Sequence, residues 1–329
     1  MLNRRQAIAG GSLLLAGCSS TGLTGFGEAP VSRLVYLGPA KVFSLAATGG
    51  APKTLVDQSP KDGSRGNGLN DGIALDLRRG HIYWTNMGKA SENDGWVRRA
   101  NLDGSNIIDI VPTGGTFTPK QIKIDEANGK LYWSDREGMR VQRCNLDGSN
   151  IETIVQTGDP AANKGDQARW CVGIAVDAAR GHVYWTQKGG DDAGQGVIRR
   201  AGINIPKGAS AANRPDIETL FSKLPEPIDL DLDLSSRTIY WTDRGDNTVS
   251  RARMDPPKGG EGGFDSANRS DRQILVRGLK EAIGIALDLA NARMAFTSLG
   301  GEVGTAALDG SGMKLLATEQ GTLTGVEWA

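Results

Sequence analysis

The chain has 329 residues, and its 38 lysines and arginines balance 38 aspartates and glutamates, so the formal net charge is zero. A chain without excess positive charge lacks the field that attracts phosphate backbones, and we expect no nucleic-acid partner. Glycine contributes 46 residues, about twice the usual share, which favours many short strands joined by tight turns. All-β folds of this length commonly form one domain.

The first 17 residues have the features of an export signal. Arg4 and Arg5 precede an apolar run that is far shorter than the roughly 20 residues of a membrane-spanning helix. Residues 15–18 resemble a bacterial lipobox, in which the cysteine is acylated and becomes the mature N-terminus, and residues 3–8 resemble a twin-arginine signal. A general secretory signal with an incidental cysteine is the alternative interpretation.

The N-terminal segment therefore predicts an exported lipoprotein. We expect a signal peptide over residues 1–17, lipidation at Cys18, a flexible tether over residues 18–30 and one folded domain over residues 31–329. Ser19 weakly favours anchoring in the outer membrane, on its periplasmic side. The membrane is then contacted through the lipid only, and we expect a monomer.

An aromatic phrase recurs along the rest of the chain. Its copies occupy residues 82–86, 131–135, 183–187 and 239–243, with a divergent fifth copy at residues 294–298. The tryptophans of the first four copies are 49, 52 and 56 residues apart. A period of about 50 residues with aromatic and β-branched residues at its centre indicates a propeller or a similar array.

One repeat, residues 72–111, divides into four short strands. The strands are predicted at residues 72–77, 81–85, 96–102 and 106–111. Asp103-Gly104 supplies a tight hairpin turn between the last two strands, because glycine accepts a positive φ. Four antiparallel strands of this length form one propeller blade.

Adjacent aromatic residues support a propeller over a two-layer sandwich. Tyr83 and Trp84 point to opposite faces of their strand, so both are buried only if both faces of the sheet are covered. Neighbouring blades cover both faces of every blade. The same pair recurs in three further repeats: Tyr132 with Trp133, Tyr184 with Trp185, and Tyr240 with Trp241.

The Tyr-Trp-Thr-Asp phrase, the Asn-Leu-Asp-Gly-Ser turn at residues 145–149 and the Gly-Ile-Ala strands resemble YWTD repeats, also called LDL-receptor class B repeats. The resemblance covers about residues 33–329 and implies an all-β, six-bladed β-propeller. The aspartate of that motif, which ties the second strand to its neighbours, matches Asp135 and Asp243. Three repeats depart from it, which implies weaker ties in those blades, at Asn86, Gln187 and Ser298.

The sixth blade is split between the two ends of the domain. Residues 33–36, 41–46 and 53–56 predict its second, third and fourth strands, and residues 323–328 supply the missing inner strand. The last strand thereby joins the first blade and closes the ring without a free sheet edge.

The upper face is the one that carries the loops from strand two to three and from strand four to the next blade. Long loops are predicted there at residues 57–70, 86–95, 158–169 and 187–196, and on the opposite, lower face at residues 203–216 and 254–271. Loops on a rigid scaffold are where binding residues concentrate, although solvated decoration is the alternative.

The upper ends of the inner strands surround the mouth of the central channel. In register they bring together the candidate ligand-binding residues Asn70, Asp71, Lys120, Trp170, Glu226 and Glu281. Carboxylates, a lysine and a tryptophan around one opening suit a polar ligand or a hard cation. A mutually neutralising ring with bound water is the alternative. Trp170 also suits either a stacked ligand or packing between blades.

Two classes of function follow from this mouth. The first is a binding module for a protein, peptide or glycan. The second is a metal-dependent hydrolase or lactonase, with Ca²⁺, Mg²⁺ or Mn²⁺ held by Asp71, Glu226 and Glu281. Both histidines, His81 and His182, fall at the lower face, so histidine-based catalysis at the mouth is not expected.

Two further expectations concern charges and thiols inside the ring. Asp231 stands where other repeats have small residues, which predicts an axial salt-bridge network with Lys123 and Glu327 because an unpaired buried carboxylate is costly. Cys144 falls near the lower face and Cys171 near the upper face, too far apart for a disulfide, so both are predicted to be free, buried thiols.

Overall fold

The computed structural model describes residues 32–60, 68–255 and 265–329. The predicted signal peptide, the tether and Cys18 lie outside the described residues, as do parts of loops 57–70 and 254–271. The described chain forms six sheets, each of four antiparallel strands. Each inner strand contacts the inner strand of the next sheet, and the last contacts the first, so the sheets are blades of a closed β-propeller.

The strands follow one another blade by blade. Blade 1 has β1 (Arg33–Leu37), β2 (Lys41–Ala46) and β3 (Lys53–Asp57); blade 2 has β4 (Asn70–Asp76), β5 (His81–Asn86), β6 (Gly95–Asn101) and β7 (Ile108–Thr116); blade 3 has β8 (Pro119–Asp125), β9 (Lys130–Asp135), β10 (Arg140–Asn145) and β11 (Glu152–Gln156). Blade 4 has β12 (Cys171–Asp177), β13 (His182–Gln187), β14 (Gly196–Gly202) and β15 (Glu218–Leu224).

The last two blades complete the ring. Blade 5 has β16 (Pro227–Asp233), β17 (Thr238–Asp243), β18 (Thr248–Arg253) and β19 (Gln273–Val276); blade 6 has β20 (Ala282–Asp288), β21 (Arg293–Ser298), β22 (Val303–Ala307) and β23 (Lys314–Ala317). Strand β24 (Val326–Trp328) returns to blade 1. The described residues include two 3₁₀ helices, at Gln167–Arg169 and Leu289–Asn291. No helix in the described part of the chain is long and apolar enough to cross a membrane.

The predicted closure of the ring is confirmed. Strand β24 pairs antiparallel with β1, so that Trp328 lies opposite Leu34 and Glu327 lies opposite Val35. The inner strands of blades 2 to 6 contain an extra residue near their upper ends and begin earlier than predicted, whereas β24 begins at Val326, later than the predicted residue 323. In β4, for example, Asn70 pairs with Asn86 but Ile73 pairs with Trp84, with a bulge between the two pairs.

The predicted Tyr-Trp pairs are buried on both faces of their blades. Tyr83 packs with Trp133 of the next blade, whereas Trp84 packs with Leu37 of the preceding blade. The same arrangement joins Tyr132 to Trp185. All four tryptophans of the motif are fully inaccessible to solvent, so the core consists of one aromatic-rich layer between each pair of blades.

The hydroxyl at the third position of the motif links each of blades 2 to 6 to the blade that follows, a role that the sequence reasoning missed. Thr85 Oγ1 accepts a hydrogen bond from Gly72 N at 2.8 Å and donates one to the carbonyl of Lys120 at 2.7 Å. Gly72 has no room for a side chain, since a Cβ there would lie 2.5 Å from that carbonyl oxygen. The same donation to the next inner strand is made by Ser134, Thr186, Thr242 and Thr297.

The motif aspartate behaves as expected where it is present. Asp135 accepts hydrogen bonds from the backbone N–H groups of Phe117 at 2.9 Å and Thr118 at 2.7 Å, and it forms a salt bridge with Arg140. Asp243 accepts from Glu226 N at 2.9 Å. These bonds hold the segment that enters the inner strand against the end of the second strand.

The other three blades, whose ties were expected to be weaker, connect the same segments through different groups. Asn86 Nδ2 donates to Asn70 Oδ1 at 3.0 Å, and Gln187 Nε2 donates to the carbonyl of Ala168 at 2.7 Å. In blade 6, Ser298 is bonded to Glu302, whose carboxylate takes over the contact to the entering backbone. Other polar groups therefore connect the second strand to the entering segment where the aspartate is missing.

The axial salt-bridge network is confirmed. Lys123 Nζ lies 2.6 Å from Glu327 Oε1 and 3.7 Å from Asp231 Oδ2. The charges of Asp231 and Glu327 raise the pKa of Lys123, although burial acts in the opposite direction. Asp231 also accepts a hydrogen bond from Leu287 N at 3.0 Å, so this carboxylate joins the inner strands of blades 5 and 6.

Both cysteines of the described chain are free and buried, as predicted. Burial raises the pKa of Cys144 and of Cys171 to about 12, so neither thiol is ionised near neutral pH. Their position in the interior and their protonated state make them unreactive in the folded protein.

Candidate functional site

The six predicted mouth residues do not form one ring. In every blade from 2 to 6, the first residue of the inner strand pairs with the last residue of the motif, as Asn70 does with Asn86. Trp170, Glu226 and Glu281 each lie one residue before this first residue of the inner strand. Asp71 and Lys120 each lie one residue after it. The two groups of residues therefore lie two positions apart along their strands.

Asp71 and Lys120 form a buried ion pair between blades 2 and 3. The Lys120 ammonium contacts Asp71 Oδ2 and lies 3.3 Å from Met87 Sδ, and Gln121 Nε2 donates to Asp71 Oδ1 at 3.2 Å. Burial lowers the pKa of Lys120, although Asp71 opposes the shift. Asn70 is buried too, and its amide donates to the carbonyl of Gly38 at 3.2 Å. The polar groups of Asp71, Lys120 and Asn70 are therefore all bonded to other groups of the protein.

Glu226 lies in a second network, between blades 4 and 5. Its carboxylate is 2.6 Å from Lys188 Nζ and 2.8 Å from Arg244 Nη2. Asp191 joins the same two cations at 2.9 Å each, and its hydrogen bond with Lys188 lowers the pKa of Asp191. Asp71 and Glu226 are therefore each paired with neighbouring cations, in two separate networks.

The three carboxylates proposed as metal ligands do not converge. Glu281 is exposed, and its backbone N–H donates to Asn247 Oδ1 at 2.8 Å. Within residues 32–60, 68–255 and 265–329, no group of three or more histidine, cysteine, aspartate or glutamate side chains is arranged to hold a metal ion. The set of Asp71, Glu226 and Glu281 thus does not fit a divalent cation.

Trp170 stands between two cations on the upper face. The guanidinium of Arg136 lies 4.9 Å from the centre of its ring, and Lys188 Nζ lies 5.7 Å away. Arg136 is held in place by a bidentate salt bridge to Glu137, at 2.8 and 2.5 Å. This pairing lowers the pKa of Glu137 even though burial opposes the shift. The two cation–π contacts therefore hold the indole of Trp170 in place.

A cavity of about 250 Å³ opens beside this tryptophan. Its wall is mostly apolar and aromatic, with a carboxylate and an ammonium at its edges. The lining residues are Ser91, Phe117, Glu137, Met139, Pro160, Ala161, Lys164, Gly165 and Trp170. A concave apolar surface with a few charged groups at its rim suits the side chain of a bound ligand.

The charged residues of this site share a sequence position that the sequence reasoning did not use. The residue immediately after the aromatic phrase projects at the upper end of each second strand: Met87, Arg136, Lys188, Arg244 and Leu299. Four of these five contact a mouth residue or line the approach to it. Comparing that position across the repeats would have pointed to the site.

Comparisons with known proteins place the chain in a family. No family model matches it. A low-density lipoprotein receptor-related protein 1 from Pyricularia oryzae is 41% identical over 298 residues, which cover 87% of this chain and 91% of that protein. The chain belongs to the YWTD, or LDL-receptor class B, propeller family.

A second relative of this YWTD propeller, a 3-hydroxyacyl-CoA dehydrogenase-like protein LAM1 from Cochliobolus heterostrophus, is 42% identical over 268 residues. The match covers 79% of this chain and 56% of that protein.

Solved structures agree on the fold of this YWTD propeller. A chain of a nidogen/laminin complex superposes with a TM-score of 0.66 at 19% identity, covering 91% of this chain and 98% of that one. A gluconolactonase from Xanthomonas campestris superposes with a TM-score of 0.58 at 17% identity, covering 91% of each chain. At such low identity these likenesses show the six-bladed architecture alone.

Proposed function

We propose that this YWTD propeller is an exported, lipid-anchored binding module that captures a peptide segment of a protein partner on its upper face. The observation that carries the proposal is the cavity beside Trp170. Interface energy concentrates in a few aromatic and arginine residues around a pocket that excludes water. Trp170, Phe117 and Met139 supply such a pocket, and Arg136 stands at its edge.

The site is organised before any ligand arrives. Arg136 is held by Glu137 and Lys188 is held by Glu226, so both cations flanking the tryptophan are already fixed. A preformed pocket avoids the entropy cost of ordering side chains on binding. An apolar or aromatic side chain of the partner would fill the cavity, while polar groups of its backbone meet the charged rim.

The anchoring part of the proposal rests on the N-terminal sequence. Residues 15–18 resemble a lipobox, and acylation of Cys18 would tether the propeller through the following residues to the periplasmic side of the outer membrane. A hydrolase or lactonase that depends on Asp71, Glu226 and Glu281 is not carried forward, because those carboxylates do not fit a shared cation.

The test is selection from a random peptide library on the purified protein, followed by affinity measurement. Peptides selected by the wild type are expected to bind Trp170→Ala about 30-fold or more weakly, as is typical of a hot-spot tryptophan. Leu234→Ser, on the lower face, is the control and should bind them unchanged. Failure to select any peptide, or equal binding to Trp170→Ala, would contradict the proposal. Binding of oligosaccharides in place of peptides, again lost in Trp170→Ala, would assign the site to a glycan.

A further inference from the structure

The large apolar side chains that are exposed in the described chain are distributed unevenly. They are Leu77, Ile107, Ile108, Ile151, Leu234, Leu289, Met313 and Leu315, each at least 37% exposed. All of them lie at the lower face. Isolated exposed apolar residues are ordinary, but their confinement to one face of a domain marks an interaction surface.

The strand directions establish this placement. Inner strands run from the upper to the lower face, so the turn that follows each of them is on the lower face. Leu77, Leu234 and Leu289 occupy the same position, directly after the last aspartate of β4, β16 and β20. They therefore surround the lower end of the channel. The other five lie where fourth strands begin, nearer the outer rim of the same face.

The chain enters the propeller at this face as well. Strand β1 is the second strand of its blade, like β5, and second strands begin at the lower end. Arg33, the first residue of β1, is therefore at the lower face. Only 15 positions separate it from Cys18, a path of at most about 50 Å when fully extended. A lipid on Cys18 would keep the lower face near the bilayer.

We propose that the lower face of the propeller is a membrane-docking surface, in which the leucines of the inner turns, Leu77, Leu234 and Leu289, insert into the facing leaflet of a lipid bilayer. This inference rests on the lipid anchor of the proposed function. Apolar side chains spread over a broad face suit a flat partner such as a bilayer. A peptide instead requires a groove or a pocket. Each leucine alone contributes little free energy of membrane binding. Because the lipid anchor already holds the protein at the membrane, insertion is an intramolecular step, and small contributions are enough to favour it.

Two arginines on this face fit the same partner. The guanidinium groups of Arg78 and Arg180 are exposed and lie 3.8 Å from the carboxylates of Glu126 and Asp255, and that of Arg78 also donates to the carbonyl of Glu126 at 3.1 Å. Arginines beside apolar residues suit the level of lipid headgroups, where phosphates accept their hydrogen bonds. With this face on the bilayer, the cavity beside Trp170 points away from the membrane, toward a periplasmic partner.

The test uses the full, acylated protein reconstituted into vesicles of phosphatidylethanolamine and phosphatidylglycerol. One variant, Leu234→Cys, carries an environment-sensitive fluorophore on the lower face, and a matched control, Ala193→Cys, carries it on an exposed upper-face loop. The native Cys144 and Cys171 are buried and do not compete for the label. Brominated lipids are expected to quench the fluorophore at position 234 several-fold and to leave the one at position 193 unaffected.

A second measurement separates insertion by the protein from insertion by the label. The fluorophore is placed by Ile151→Cys, and Leu77, Leu234 and Leu289 are all changed to serine; quenching should then fall to the level of the Ala193→Cys control. Flotation of the vesicles reports the anchor independently. A protein that floats while position 234 remains unquenched overturns the docking surface and leaves the anchor intact. A protein that does not float removes the anchor, and the docking surface with it.

Discussion

The Glu302 carboxylate accepts a hydrogen bond from the backbone N–H of Lys280 at 3.0 Å, the contact that Asp135 makes with the N–H of Phe117 in blade 3. Glu302 comes from the loop after the second strand of blade 6 and not from the aromatic phrase itself, where Ser298 stands. Ser298 donates to the same carboxylate at 3.1 Å. In blade 6, the hydrogen bond to the entering backbone is therefore made by a residue outside the aromatic phrase.

We expect Glu302→Ala to destabilise the propeller by about 1 to 3 kcal/mol, because it leaves buried hydrogen-bonding groups without a partner. In a protein of this size, that loss lowers Tm by roughly 2 to 4 °C per kcal/mol. Thermal unfolding followed by circular dichroism measures it. Glu302→Gln retains an acceptor oxygen and should lose less. Equal melting of Glu302→Ala and the wild type would show that the contact is not needed.

The second prediction concerns pH and the motif aspartate of blade 5. Burial, with the nearby charge of Asp246, raises the pKa of Asp243 to about 7, and Asp243 Oδ2 has no hydrogen-bond partner. A carboxyl group whose pKa is higher in the folded than in the unfolded state stabilises the fold below its unfolded pKa. That stability is lost as pH rises from about 4 to about 7. Asp243→Asn should therefore be near the wild type at pH 5 and more stable than it at pH 8.

Chemical denaturation at the two pH values tests this prediction, and blade 3 provides the control. Both oxygens of the Asp135 carboxylate accept backbone hydrogen bonds, and one also pairs with Arg140 at 2.9 Å. Asp135→Asn should therefore lose stability at both pH 5 and pH 8, by about 1 to 3 kcal/mol. If Asp243→Asn shows the same loss at both values, Asp243 is ionised in the native protein and the prediction is wrong.

The repeat pattern allowed much of the fold to be predicted, because each blade requires the same aromatic residues at the same positions. The ring closure by β24 and the pairing of Lys123 with Glu327 followed from that register. The mouth was harder to predict, since Asp71 and Trp170 lie two positions apart in the register of their inner strands. Pairs such as Lys188 with Glu226 join different blades, and only their three-dimensional arrangement brings them together.

The axial network leads to a third prediction. Lys123→Met removes the cation that faces Asp231 and Glu327 and should cost about 3 to 5 kcal/mol, as breaking a buried ion pair typically does. Burial raises the pKa of Glu327, so its protonation at low pH should reduce this cost at pH 5 relative to pH 8. The double variant Lys123→Met/Glu327→Gln should recover part of the stability. Additive losses in that cycle would show that the two residues are not coupled.

The last prediction concerns the strand that closes the ring. Strand β24 and the residues before it bind three blades: Thr324 Oγ1 donates to the carbonyl of Asn70 in blade 2, and Trp328 Nε1 donates to the carbonyl of Ala286 in blade 6. Pairing with β1 joins the strand to blade 1. A protein that ends at Gly321 loses all of these contacts and exposes the edge of β1, which is a template for association with other chains.

We expect this truncated protein to unfold at least about 10 °C below the full chain, since several buried hydrogen bonds and apolar contacts are lost together. It should also form oligomers, which size-exclusion chromatography would detect. Removal of Ala329 alone is the control and should cost far less, because it leaves β24 and its partners in place. A truncated protein that stays monomeric and melts with the full chain would mean that the first blade is stable with three strands, and that the seam does not hold the ring together.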